Sequence, residues 1–247
     1  LALKSEGVTI LLITHKLHEV MAITDEVSVM RQGKMVGNTL TKHTTPEMLA
    51  EQMVGRSVLV NTKYELQTIG KVALSVNKLG VVDKRGFDSL KNATFDLHAG
   101  EILGVAGIAG NGQSELLSVL SGITLPNAGS FKIEEHLFDS KKNPSAKLMR
   151  ELGVSHVPED RHSEGLVLQF QAFESVILGY ENNQKLGSGF FTNPDTIQEY
   201  CSQLQKSFDV RPQNPRLYSS QFSGGNQQKL VLSREISSTP KILLVGQ

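Results

Sequence analysis

Three short patterns in this sequence combine residue types and spacings that could do chemistry. The first is the run Gly107, Gly110, Asn111, Gly112, Gln113, Ser114 and Glu115. Against the phosphate-binding template G-x-x-x-x-G-K-[ST], Gly107 and Gly112 take the glycine positions, Ser114 takes the hydroxyl position that would hold a metal ion, and Gln113 stands where Lys is required. Glycines let backbone N–H groups turn toward a polyphosphate, and a following helix adds its positive N-terminal end. The missing Lys would have supplied a mobile charge on the outer phosphates. Taken alone, the pattern is weak evidence, and a plain strand-to-helix turn is the other reading.

The second pattern is Phe222-Ser223-Gly224-Gly225-Asn226-Gln227-Gln228-Lys229. Ser223 is placed to cap a helix, with an amide side chain three residues later as in a relaxed capping box. Two glycines inside a cap cost backbone entropy unless something approaches the backbone closely, as a phosphate would. The third is His15, in Thr14-His15-Lys16 after the apolar run Val8 to Ile13. The C-terminal edge of a parallel-type strand is where open α/β sheets place ligand chemistry. A capping or surface histidine is the other reading of the same residue.

The elements that must position these residues are legible from periodicity. Ile102, Leu103, Val105 and Ala106 suit a buried strand before the glycine loop, and Leu116, Leu117 and Leu120 repeat at helical spacing after it. The continuous run VTILLI at 8–13 reads as a strand buried on both faces. Leu17, Val20 and Met21 share a helical face, residues 27–36 read as a hairpin turning at Gln32-Gly33, and Thr45 with Pro46 opens a further helix. Residues 56–71 lose periodicity and read as a linker between a unit at 1–55 and another at 72–247. In the second unit, Val72, Leu74 and Val76 alternate, as do Phe95 and Leu97. Short strands follow at 130–133 and 153–157, then turn-rich stretches around 181–189, a helix around 197–208, a helix from Ser223 and the strand 242–245.

Composition narrows the class. The chain has 247 residues, enough for a proper core and one or two domains, and 25 basic residues balance 25 acidic ones. No net field favours nucleic acid or an anionic membrane. A single cysteine, Cys201, excludes an internal disulfide, and no C-x-x-C or Cys/His cluster suggests zinc. A cytosolic protein is the simplest expectation from that cysteine usage, and no apolar run approaches the roughly 18 residues of a membrane span. The first residue is Leu1, and both ends read as cut, the expectation being a fragment of a longer protein.

FSGGNQQK, followed by REI and PKILLV, resembles the signature motif of ABC-type ATP-binding subunits, most closely those of sugar and nucleoside importers. The NQQK extension makes the resemblance specific, and HVPEDRHSEGLVLQF at 156–170 shares it. Ser114 and Ser223 are 109 residues apart, in keeping with this family. The resemblance covers essentially the whole chain. It implies an α/β P-loop NTPase with a mixed, mainly parallel core sheet, an antiparallel β subdomain and a helical subdomain. Such subunits carry two ATPase domains, so residues 1–55 resemble the end of the first, with His15 at the switch-histidine position, and 72–247 most of the second.

The resemblance also implies ATP and Mg²⁺ as cofactors, transmembrane permease subunits and an extracytoplasmic solute-binding protein as partners, and a place on the inner face of the plasma membrane. Its departures bear on mechanism. An active site of this type uses a Lys on phosphate, a Gln that senses magnesium, an Asp that holds the metal and a Glu that polarises water. Here those positions are Gln113, Glu159, Gly246 and Gln247. The domains pair head-to-tail, so Ser223, Gly224, Gly225, Asn226 and Gln227 would reach a nucleotide held by the first domain, as would His15. One productive and one degenerate site is the expectation. The alternatives are a non-catalytic regulatory or scaffold module with an ATPase-like fold, or an inert truncated product. A soluble ABC protein acting on ribosomes or DNA is disfavoured by the neutral charge.

Overall fold

The computed structural model describes the chain except residues 1, 32, 56–67, 84–85, 109, 143, 182–186, 189–190 and 247. The chain divides into two compact units, residues 1–66 and 67–247. Most of the expected linker, Gln32 of the expected hairpin turn, most of the turn-rich stretch at 181–189 and Gln247 lie outside the described residues.

Unit 1 contains α1 (Ala2–Ser5), α2 (Leu17–Ile23), the antiparallel pair β1 (Glu26–Arg31) and β2 (Lys34–Leu40), and α3 (Pro46–Val54). The start of α3 follows from its sequence. The Thr45 hydroxyl accepts from the Met48 N–H at 3.3 Å, and Pro46 stands where no donor is needed. Val20, Val29 and Leu49 bury together as its core.

Unit 2 begins with β3 (Val72–Val82) and β4 (Asp88–His98), followed after the glycine loop by α4 (Gln113–Leu120). Next come β5 (Ala128–Ile133), β6 (His136–Asp139), α5 (Ala146–Glu151) and β7 (Val154–Val157). A π-type turn at Arg161–Gly165 leads to α6 (Ala172–Ser175), the two-residue strands β8 (Gly187–Ser188) and β9 (Phe191–Thr192), α7 (Pro194–Ser207), α8 (Gly224–Ser237) and β10 (Ile242–Val245). An antiparallel sheet runs in the order β4-β3-β5-β6, and β10 pairs in parallel with β7. Leu116, Val119 and Leu120 of α4 pack with Val76, Phe131 and Phe138 of the sheet and with Val154, Ile242 and Leu244 of the parallel pair. The apolar face of α4 thus fixes the glycine loop that precedes it. A second core joins α6, α7 and α8 through Ala172, Cys201, Leu204, Phe222 and Leu230. Burial pushes the Cys201 thiol up to about 12, which keeps it inert.

Two expected strands do not form. The runs 8–13 and 102–106 carry no strand pairing, and Leu11 is 89% and Ile102 91% exposed. An apolar run becomes a strand only where a neighbour supplies backbone partners and a covered face, and among the described residues nothing does so for either run. Parallel pairing among the described residues is therefore confined to β7 and β10. No helix among them is long and apolar enough to cross a membrane.

Phe131 is buried and stacks on Phe138 with ring centroids 5.0 Å apart. Phe131→Ala is expected to destabilise unit 2 by about 3–5 kcal/mol, measured by urea unfolding, because the cavity lies between a sheet and a helix that relax little.

Candidate functional site

The glycine loop is held by close packing on β4. Gly112 caps α4 with φ +98°, and a Cβ there would stand 2.5 Å from the Ser89 carbonyl, so only glycine fits. Gly110 is exposed with φ +90°, Asn111 is exposed, and the Asn111 N–H donates to the Ile108 carbonyl at 3.2 Å. Gln113 Nε2 donates to the same carbonyl at 3.2 Å. Ser114 Oγ donates to Glu159 Oε2 at 2.7 Å, and Glu115 is half-buried in the first turn. The structure therefore brings Ser114 and Glu159 together, although 45 residues separate them.

Beside them is a cavity of about 320 Å³ lined by Ser114, Leu117, His156, Glu159, Asp160 and Glu164 among others. The His156 Nε2 is buried with no hydrogen-bond partner, and burial holds its pKa below the ordinary histidine value. Asp160 caps the π-type turn, accepting from the His162 N–H at 2.9 Å, and that backbone bond holds its carboxyl below the usual range. Burial first, then Asp160 and Glu159, pushes Glu164 up. Gly246 is buried, and its N–H donates to the Val157 carbonyl at 2.9 Å.

The donor set at this loop does not fit a magnesium-bound triphosphate. Gln113 is folded onto a carbonyl, Ser114 is engaged by a carboxylate, and Gly246 has no side chain to offer a metal. Among the described residues no group of three or more His, Cys, Asp or Glu side chains is placed to hold a metal ion.

The second pattern opens α8. Ser223 and Gly225 are exposed, Gly224 and Asn226 partly so, and Gln227 is buried. Ser223 occupies the N-cap position by backbone geometry, but its hydroxyl makes no cap bond to the helix; it accepts from Asn226 Nδ2 at 2.9 Å. The expected side-chain cap is therefore replaced by an amide–hydroxyl bond. Asn226 Oδ1 is itself fixed by the Arg211 N–H at 2.8 Å. Gln227 is a hub that sequence reasoning undervalued. Its Nε2 donates to the Ser219 carbonyl at 2.9 Å, and its Oε1 accepts from His162 Nε2 at 2.9 Å and Arg161 Nε at 3.3 Å. Arg161 Nη2 lies 2.8 Å from where a Gly224 Cβ would be. The 158–165 segment thus touches the loop helix at Glu159 and the α8 start at Arg161 and His162.

Behind the turn, Arg234 and Glu235 are almost fully buried and paired at 2.8 Å. Arg234 Nη1 donates to the Gly165 and Ser175 carbonyls at 2.9 and 3.1 Å, and Glu235 accepts from the Tyr180 hydroxyl at 2.6 Å. The signal for this pair was present: Arg234 falls three and four residues after Val231 and Leu230, on the apolar face. His15, in unit 1, is exposed at the end of the unpaired run.

Residues 90–245 match the family model described as ABC transporter. The chain belongs to the ABC transporter family. It is 38% identical over 242 residues to the nucleoside import ATP-binding protein NupA of Lactococcus lactis subsp. cremoris, covering 98% of this chain and 47% of that protein. The glucose import ATP-binding protein TsgD13 of Haloferax volcanii is 35% identical, over 99% of this chain and 44% of its own. The guanosine import ATP-binding protein NupO of Bacillus subtilis is 34% identical, over 99% and 48%. The chain spans about half the length of the curated relatives it matches. Among solved structures, a dimeric post-hydrolysis state of the ATP-binding cassette MJ0796 bound to ADP and Pi superposes with TM-score 0.58 at 19% identity, covering 70% of this chain and 73% of that one. A cbiO1 subunit from Clostridium perfringens gives 0.51, also at 19%, over 71% of this chain and 65% of that one. The fold is the α/β P-loop NTPase fold of ABC cassettes.

Two outcomes follow from this ABC cassette's buried groups. Arg234→Met alone strands the Glu235 carboxylate and is expected to cost about 3–5 kcal/mol in a denaturant titration, whereas Arg234→Met with Glu235→Leu costs far less. His156 binds its proton less readily folded than unfolded, so stability is full above pH about 6.5 and falls as pH drops below it. Thermal melts of His156→Asn across pH 5–8 are expected to lose that part of the acid sensitivity.

Proposed function

We propose that this chain is part of an ATP-binding subunit whose ATP hydrolysis powers import of a simple sugar or nucleoside, with one productive nucleotide site and one mainly structural site. One contrast within unit 2 carries the reading. The Ser223-Gly224-Gly225 start of the 14-residue α8 is open to solvent and backed by a satisfied amide network, while the phosphate loop has Gln113 for Lys and Glu159 on Ser114. An exposed N-terminus of a long helix suits the phosphates of a nucleotide brought by another ATPase domain. In a head-to-tail pair, Ser223 and its neighbours contact a nucleotide held by another ATPase domain's phosphate loop, and His15 serves as the switch histidine of its own domain.

The names of the relatives, which import nucleoside, glucose and guanosine, support the transport reading. Transmembrane permease subunits and an extracytoplasmic solute-binding protein are the corresponding partners, and the subunit sits peripherally on the inner face of the plasma membrane. The permease docks around residues 159–180. There Leu166 is a buried anchor, and Phe170 is 37% exposed and available to a partner.

Ser223→Arg in the full-length protein is expected to lower ATP turnover at least about a hundredfold, since one donor aimed at a transition-state charge is typically worth that much. A phosphate-release assay reads it, and unchanged turnover sinks the proposal. Gln113 lying on its own loop favours a second reading, a non-catalytic module that only dimerises. Absence of ATP turnover in the wild-type full-length protein decides for that module.

A further inference from the structure

The phosphate loop of unit 2 lacks a lysine, and the residues around it also occupy one another. The Gln113 amide lies across Gly107, where any added Cβ would collide with it, and donates to the Ile108 carbonyl at 3.2 Å. The Ser114 hydroxyl, which the template reserves for a metal ion, donates to Glu159 Oε2 at 2.7 Å. A Cβ at Gly246 would stand 2.8 Å from the Glu159 backbone nitrogen and 3.0 Å from Leu117 Cδ1, so a carboxylate does not fit there while Glu159 stays in place. Glu159 thus appears in two of these three contacts.

The electrostatics have the same sense. The cavity beside the loop is walled by Glu159, Asp160 and Glu164, with no Lys or Arg among its lining residues. The upward push on Glu164 comes from burial and then from Asp160 and Glu159, so Glu164 feels both of these carboxylate neighbours. A polyphosphate in the same place would feel them too, and a like charge a few ångströms away in a partly buried site is costly.

We infer that Glu159 keeps nucleotide out of this second site: it takes the Ser114 hydroxyl and sets a negative charge at the N-terminus of α4, where phosphate would bind. It is a specificity-determining residue that acts by exclusion. A competing role, Glu159 as a magnesium ligand that recruits nucleotide, gives the opposite sign on substitution. The inference rests on the proposed reading that the working nucleotide sits elsewhere.

Equilibrium dialysis of radiolabelled ATP with magnesium against the full-length protein tests it, using wild type, Glu159→Gln and Gln113→Lys/Glu159→Gln. Wild type is expected to hold one ATP tightly, Glu159→Gln to tighten the weak second site about tenfold, the equivalent of one pKa unit of charge interaction, and the double variant to hold two. A wild type that already holds two, a Glu159→Gln that binds more weakly or unchanged, or a double variant with an unchanged thermal transition that gains no site overturns the inference. If the double variant does not fold, the sign of the Glu159→Gln effect decides. A wild type that binds no ATP sinks the proposed function instead, and the gain or lack of a site in the variants still decides this inference.

Discussion

The buried Arg234–Glu235 pair is the constraint on which the helical part of unit 2 depends. Both side chains have left water, and a desolvated ion pair is tolerated only when the remaining donors and acceptors are met. Here Arg234 reaches the carbonyls of Gly165 and Ser175, and Glu235 takes the Tyr180 hydroxyl, which also bonds Ser155 of β7 at 3.1 Å. Ser155 in turn meets Ser238, just beyond α8, at 2.9 Å. One pair thereby fixes α8 against the π-type turn, α6 and the parallel strands. No apolar substitute for one partner alone could do the same, because the other charge would remain inside.

With α8 so fixed, its first turn is presented rather than buried. The Gln227 amide closes the join to the 158–165 segment through His162 and Arg161, leaving Ser223 and Gly225 facing outward. The same segment runs on to Glu159 at the glycine loop. The glycine loop and the start of α8 are therefore attached to the two ends of one short stretch. At one, Ser223 and Gly225 are exposed and no side chain among the described residues caps the helix. At the other, the Ser114 hydroxyl donates to Glu159 and the Gln113 amide donates to the Ile108 carbonyl of its own loop. The asymmetry of the proposed function is the difference between those two ends.

Much of this was legible along the chain. The glycine loop and helix around Gly112, the Thr45–Pro46 helix start, the alternation at Val72, Leu74 and Val76, and the helix start at Ser223 are local patterns, and local patterns survive folding where nothing opposes them. The expected strands at 8–13 and 102–106 did not form, because a strand is a pairwise object and hydrophobicity cannot supply its neighbour. Ser223 was expected to cap through its hydroxyl, yet Asn226 competes for that oxygen, a choice made by side-chain geometry that spacing does not show. The short elements β6 and α5 left no strong period to read.

By itself the sequence determined which groups are on hand: a glycine loop with Gln113 where the phosphate-binding template has Lys, Glu159 and Gly246 further along the chain, and Ser223-Gly224-Gly225 before a helix. Those are matters of residue type, and no fold can restore a missing charge. Only the tertiary structure decided what the remaining groups do. It brought Glu159 onto Ser114 across 45 residues, laid Gln113 over its own loop, filled the space beside Gly246, and buried Arg234 with Glu235 under Tyr180. Hydrogen bonds and desolvation act over a few ångströms between parts of the chain that are remote in sequence, and the fold alone sets those distances.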